Sequence, residues 1–352
     1  MGARASSGMT SNRRQLKGQG FIVKVAALRA ESLVVKAVCL DFATVSRGDL
    51  DTDRLVRLLP QIVLHEVTAE TDIPRRVAGA QVVLVNKLRI TRERMIASGA
   101  LRLIAVMATG TNNIDLDAAR ELGIAVTNVR NYCTTSLTQH VLAVILTLTH
   151  RLREFGRLAV DGSWQASPQF TMLDFPVREL SDRVLGIVGF GTLGRSVARA
   201  ATAALGMRVL VANRPGGEPA ADRIDLHDLL GRADVLSLHC PLTPATERLL
   251  GAREFALMKP DALIVNTARG GLIDSQALAD ALRAGRLGGA AIDVLTQEPP
   301  VDGNPLLAPD IPNLLVTPHI AWSAREARQR CLDEVASNIE AFMRGERRNR
   351  LD

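Results

Sequence analysis

From about residue 34 to residue 320, short and nearly unbroken apolar runs alternate with stretches whose apolar positions recur at helical spacing. That alternation is the signature of parallel βαβ units. A first set of candidate strands comprises Val34 to Phe42, Ile62 to Val67, Ala80 to Leu88, Leu101 to Thr109 and Gly123 to Val129. A second comprises Val184 to Val188, Arg208 to Asn213, Asp234 to Cys240, Ala262 to Ala268, Ala290 to Leu295 and Leu314 to Ile320. Strands this apolar need cover on both faces, so each set predicts a doubly wound α/β sheet. Between the sets, Thr134 to Phe155 is apolar nearly all round and predicts one long buried helix. Gly162, Trp164, Pro168 and Pro176 mark an aperiodic stretch that reads as an extended arm able to reach a second subunit. Helical spacing returns from Ser323 to Gly345, in a segment expected to pack back on the first domain.

The chain has 352 residues, 47% of them hydrophobic, which suits two domains. Its formal net charge of +6 equals the six cations of residues 1 to 30 (Arg4, Arg13, Arg14, Lys17, Lys24 and Arg29), a stretch without acids. Everything after Ala30 is therefore formally neutral. The basic stretch is compatible with a transit peptide or a phosphate-binding arm, but composition favours a disordered extension. Aromatic content of 3% leaves little for stacking on single strands, so no nucleic-acid partner is expected. The apolar runs are broken by charges well short of the ~20 residues of a membrane span, so no membrane is expected either, and the expected compartment is the cytoplasm. Cys39, Cys133, Cys240 and Cys331 are scattered, and no HxxxH or HExxH pair occurs, so neither a disulfide framework nor a metal is called for.

The sharpest local signal is Gly189-Phe190-Gly191-Thr192-Leu193-Gly194, directly after the apolar VLGIV run and opening a helical pattern. In this context the glycines serve a tight turn, close approach of a pyrophosphate and helix-to-strand packing, with the helix N-terminus aimed at phosphate. The next strand ends at Asn213-Arg214, where an acid would ordinarily bind the ribose 2′-hydroxyl of NAD. Asn213 is neutral, and Arg214 either pairs with a 2′-phosphate, so that NADP is tolerated or preferred over NAD, or points to solvent.

A series of further motifs follows in order: ATGTNNIDLDAARELGIAVTNV at 108 to 129, DVLSLHCPLTPAT at 234 to 246, LIVNTARGGLIDSQAL at 263 to 278, AAIDVLTQEPP at 290 to 300 and VTPHIAW at 316 to 322. With LGIVGFGTLGRSVA at 185 to 198, these resemble the D-isomer-specific 2-hydroxyacid dehydrogenases, and the TNN and HIAW segments are most similar to the glycerate dehydrogenase/hydroxypyruvate reductase branch. The resemblance implies a Rossmann cofactor domain at 133 to 322 and a flavodoxin-like substrate domain at 31 to 132 plus 323 to 352. An active-site cleft would lie between them. It also implies a homodimer acting on a small 2-oxo or 2-hydroxy acid with NAD or NADP.

By the same resemblance, Arg269, Glu298 and His319 form the catalytic trio. Reduction of a 2-oxo acid needs a hydride at carbon and a proton at oxygen. His319 would supply the proton, Glu298 would fix its tautomer, and the planar fork of Arg269 would grip the substrate. Gly189, Gly191, Thr192, Leu193, Gly194, Asn213, Arg214, His239, Cys240, Pro241, Thr267, Ala268, Asp293 and Ala321 are expected to line the cofactor, Asp293 having a strand-end cap as its alternative. Asn86, Lys87, Leu88, Thr109 and Gly110 are expected to hold the substrate carboxylate through backbone N–H groups. Two other classes remain open: an NAD(H)-sensing interaction protein of the corepressor type, and a formate- or phosphite-type dehydrogenase on the same fold.

Overall fold

The computed structural model describes residues 35–351, so the basic extension expected at 1 to 30 lies outside the described residues. The described residues form two compact units: 35–132 together with 325–351, and Cys133–Ala324.

The first unit holds β1 (Ala37–Cys39), β2 (Ile62–Leu64), β3 (Val82–Val85), β4 (Leu103–Val106) and β5 (Ala125–Thr127), in the order β2-β1-β3-β4-β5. All its pairings are parallel. β3 and β4 are buried at every position, whereas the edge strand β2 leaves Val63 51% exposed. The helix Arg325–Met343 packs within this unit through Asn338, whose amide donates to Asn128 O at 2.9 Å, and Arg328, which pairs with Asp49 at 2.6 Å.

The second unit holds β6 (Val184–Val188), β7 (Arg208–Val211), β8 (Val235–Leu238), β9 (Leu263–Asn266), β10 (Gly289–Ile292) and β11 (Leu314–Val316), in the order β11-β10-β9-β8-β6-β7, again all parallel. In each sheet the strand order reverses once, at β1/β3 and at β6/β8. Open α/β sheets gather ligands outside the carboxyl ends of the strands at such points.

The single helix expected from Thr134 to Phe155 is instead two, Thr134–Thr149 and Leu152–Val160. Arg151 between them is left-handed (φ 52°, ψ 38°). The hydroxyls of Thr147 and Thr149 donate to the carbonyls of Ala143 and Ile145, a back-bonding that loosens a last turn. Phe155, in the second helix, then seats edge-on against Phe175, with ring centroids 5.3 Å apart. Beyond it, only Ser163–Ala166 is helical before β6.

Candidate active site

Within the second unit, the three glycines of the turn differ in what surrounds them. Gly189 has φ +98°, and a Cβ there would lie 2.4 Å from Cys240 N and 2.5 Å from the His239 carbonyl carbon. The turn after β6 is thus pressed against the loop after β8, and only glycine fits. A Cβ on Gly194 would meet Gly189 O at 2.2 Å, so the helix can approach the turn only without one. At Gly191 a Cβ would meet nothing within 4 Å. Gly191 is also the N-cap of Thr192–Leu205 and makes no side-chain cap, so the first N–H groups of the helix, from Thr192, Leu193 and Gly194, have no side-chain partner at that cap. Open space before an uncapped helix N-terminus suits a pyrophosphate.

The other residues expected at the cofactor divide into two groups. His239 is half-buried, with Ser237 Oγ 2.9 Å from its Nε2, and burial pushes its pKa down to about 4. Burial pushes the Cys240 thiol up to about 11. Neither is a proton donor or thiolate at neutral pH. Pro241 O accepts from Thr246 Oγ1 at 2.7 Å. Asn213 Oδ1 accepts from Ala220 N at 3.1 Å, which commits that side chain to folding the 214–220 loop, while Arg214 is exposed. Thr267 Oγ1, at the carboxyl end of β9, is buried without a hydrogen-bond partner among the described residues. An orphan hydroxyl beside the glycine turn's sheet edge awaits a polar group. The open glycine, the uncapped helix and this hydroxyl all fit a dinucleotide.

Asp293 and Ala321 are both tied to the loop that carries His319. Asp293 is 2% exposed, and its carboxylate accepts from Thr317 Oγ1 (2.6 Å), Ile320 N (2.8 Å) and Ala321 N (2.9 Å). Its oxygens thus cap that loop, the role expected as the alternative to a cofactor contact. His140 Nε2 lies 4.0 Å from this carboxylate, and burial lowers the histidine's pKa against the opposing pull of Asp293. Ala321 O accepts from Ser136 Oγ at 2.9 Å, a further tie on the same loop.

The catalytic candidates come together on three strand ends. His319 has φ 55°, and its N–H donates to Asp293 O at 2.8 Å. Its Nδ1 lies 2.7 Å from Glu298 Oε2, while Glu298 Oε1 accepts from Leu295 N at 2.9 Å. Both carboxylate oxygens therefore have a task, one aiming the imidazole and the other anchoring the carboxylate. The two side chains keep 26% and 34% of their surface exposed, so the pair is reachable. Arg269 is held by its own backbone, because the buried Asn266 donates from Nδ2 to Arg269 O at 2.9 Å. The neighbouring Gly270 abuts Leu295, where a Cβ would lie 2.1 Å from the carbonyl carbon. That contact packs the Arg269 turn directly against the loop leading to Glu298. Asn266 and His140 were not picked out from the sequence; both are polar residues inside apolar runs, and that is the signal that could have found them.

In the first unit the expectation for Asn86, Lys87 and Leu88 needs correction. Their backbone N–H groups donate to the carboxylate of Asp41, at 2.8, 2.7 and 3.2 Å, and so are not free for a substrate anion. Thr109 Oγ1 donates to Val129 O at 2.7 Å, while the N–H groups of Thr109 and Gly110 have no partner among the described residues. Among the described residues, no cluster could hold a metal ion and no helix is long and apolar enough to cross a membrane.

A glycine turn at a sheet's switch point, an open helix N-terminus and a reachable histidine–carboxylate pair beside an arginine define an NAD(P)-binding oxidoreductase. The family model of the D-isomer specific 2-hydroxyacid dehydrogenase NAD binding domain matches residues 142–321, and the chain belongs to that family. It is 41% identical over 278 residues to a glycerate dehydrogenase of Methylorubrum extorquens, covering 79% of this chain and 87% of that one. It is 36% identical over 318 residues to a hydroxypyruvate reductase of Blautia hydrogenotrophica, covering 88% and 98%. Among solved structures, a protein from Thermus thermophilus superposes with a TM-score of 0.79 at 35% identity, covering 90% of this chain and all of that one. An acyclic imino acid reductase in complex with NADPH and D-Arg superposes with a TM-score of 0.78 at 26% identity, over 90% of this chain and 100% of that one.

Proposed function

We propose that the protein reduces hydroxypyruvate or glyoxylate to the D-2-hydroxy acid, reversibly, with a preference for NADPH over NADH. The observation that carries this reading is the 2.7 Å contact between His319 Nδ1 and Glu298, beside the Arg269 turn. With Nδ1 facing the carboxylate, the transferable proton sits on Nε2, turned away from Glu298. Arg269 grips the substrate's carboxylate or carbonyl oxygen with two donors in a plane and stabilises charge that develops on oxygen. A bound nicotinamide supplies the hydride. Gly191 with Thr192 to Gly194 would hold the pyrophosphate, Thr267 would supply a hydroxyl to the same molecule, and Arg214 would pair with a 2′-phosphate.

The substrate choice is supported by the names of the relatives, which include glyoxylate reductase of Thermococcus litoralis besides the two above. NADPH is favoured because the residues just past β7, Asn213 and Arg214, include no acid for a ribose 2′-hydroxyl, and Arg214 is exposed there. A homodimer is favoured by the exposed apolar arm, in which Phe170 and Leu173 are 90 and 84% exposed. Loss of absorbance from NADPH, and separately from NADH, on adding hydroxypyruvate, glyoxylate, pyruvate and phenylpyruvate tests the reading. Rapid oxidation of NADPH with one of the first two is expected. Tight NADPH binding with no oxidation by any of the four would overturn it and favour a sensing role.

A further inference from the structure

Asp41 lies just beyond β1, and Asn86 to Leu88 just beyond β3, so they meet where the order of the first sheet reverses. Asp41 is 4% exposed and Asn86 3%. The Asp41 carboxylate accepts from the N–H groups of Asn86 (2.8 Å), Lys87 (2.7 Å) and Leu88 (3.2 Å). From another side, Asn113 Nδ2 donates to the carbonyls of Leu88 (3.0 Å) and Asn86 (3.3 Å), and Asn86 Nδ2 donates to Thr44 Oγ1 (2.9 Å). The loop after β3 therefore has its donors held by the end of β1 and two of its acceptors held by the loop after β4. Asn113 stands three residues past Gly110, whose N–H, like that of Thr109, has no partner among the described residues.

We infer that Asp41 is a positioning residue for the 2-oxo acid: it gathers the N–H groups of Asn86 to Leu88, locks that loop to the Thr109–Asn113 loop, and leaves the unpaired N–H groups of Thr109 and Gly110 to receive the substrate's carboxylate. A buried carboxylate needs several donors to be stable, and three backbone N–H groups meet that need without a counter-ion. The same bonds prevent the loop from turning its own donors toward the substrate, which rules out a second, competing anion seat. The inference rests on the reading of the protein as a 2-oxo acid reductase.

The test compares wild type with Asp41→Asn by steady-state kinetics, NADPH fluorescence titration and amide hydrogen exchange. The substitution removes the charge and turns an N–H donor toward groups that are themselves donors. The expected result is a rise in KM for the 2-oxo acid of roughly 10- to 100-fold, the scale of a small misplacement of a substrate-positioning group. The Kd for NADPH should stay within about twofold, because the altered loops belong to the other unit from the glycine turn. Exchange at Asn86 to Leu88 should accelerate. Unchanged exchange overturns the clamp whatever the kinetics do. Faster exchange with an unchanged KM overturns the positioning role, and equal losses for 2-oxo acid and NADPH would mean general damage, which overturns it too. Should Asp41→Asn fail to fold, Thr44→Val removes the acceptor of the Asn86 amide together with the Thr44 hydroxyl's own bond to Asp41 O at 2.6 Å, and is expected to raise the same KM several-fold; no change there refutes the coupling. A failure of the underlying function is seen separately, as absence of turnover in wild type.

Discussion

Substituting alanine at Gly191 and at Gly189 should separate the cofactor's needs from the fold's. At Gly191 the backbone is extended (φ −78°, ψ −161°), a conformation open to any residue, and a Cβ would meet no protein atom within 4 Å. Stability should therefore change by less than about 1 kcal/mol. The new methyl would occupy the space before the first N–H groups of the helix. Displacing a phosphate from two of those donors forfeits about 3 kcal/mol at the low end for charged hydrogen bonds, or roughly a hundredfold in Kd. At Gly189 the balance reverses, because φ is +98° and the Cβ would lie 2.4 to 2.7 Å from backbone atoms of His239 and Cys240. Backbone strain and overpacking together cost about 2 to 5 kcal/mol, which lowers Tm by about 10 °C in a unit of this size. Thermal melts alongside NADPH fluorescence titration read both quantities. A Gly191→Ala protein that melts and binds NADPH like wild type would show that the pyrophosphate does not sit at this turn, and the assignment of the site would fall with it.

His319→Ala should lower kcat by about 10²- to 10⁴-fold while leaving the Kd for NADPH nearly unchanged, as expected for loss of a proton donor; single-turnover kinetics check this, and wild-type turnover would remove His319 from the reaction. Arg214→Ala should weaken NADPH by about tenfold and NADH hardly at all, so equal losses in fluorescence titrations would dismiss the 2′-phosphate contact. Stability should depend on pH through His239, whose pKa is pushed to about 4 by burial against about 6.5 when unfolded. The unfolded chain takes up this proton first as pH falls, so the contribution is whole above pH 6.5 and declines toward pH 4, by up to about 3 kcal/mol. Urea midpoints at pH 7.5 and 5 should converge in His239→Gln, though not fully, since burial also lowers His140 and His65; an unchanged difference between the two pH values would contradict the assignment.

Apolar patterning located all eleven strands of the described residues but not their ends. β6 runs from Val184 to Val188, as the pattern predicts, because the glycine turn stops it at once. The other apolar runs overshoot at their carboxyl ends: the run to Leu88 ends as strand at Val85, that to Thr109 at Val106, and that to Leu295 at Ile292. Residues beyond those points leave their sheet for the loops at its carboxyl edge, and hydropathy does not distinguish a buried strand residue from a buried loop residue. The break at Arg151 was hidden for a related reason. It falls at a left-handed arginine inside a nearly continuous apolar pattern, and the helix after it meets Phe175 through Phe155, a contact twenty residues apart that no local period encodes. Arg269, Glu298 and His319 stand out in the sequence because their residue types sit in motifs, and the structure shows how the His319 and Glu298 loops reach each other.

Two aspartates whose tasks the sequence leaves open share one physical feature. Asp41 and Asp293 each stand just past a strand at a carboxyl edge, each is nearly buried, and each accepts from a loop that follows a different strand of its own sheet. A carboxylate at such a place suggests a ligand contact, and Asp293 was read that way, whereas Asp41 ended an apolar run and was passed over. Neither reading could anticipate that backbone N–H groups, which carry no side-chain signature, would be the partners. Leaving such an acceptor unpaired, or such donors orphaned, costs about 1 to 3 kcal/mol per group, so each aspartate fixes its loop more firmly than the loop's own composition would. In the second unit the fixed loop carries His319; in the first it is tied to the loop with two open N–H groups. Precision at the reacting groups thus comes from carboxylates that need not touch the substrate, and substitutions there should register as losses of alignment rather than of a chemical group.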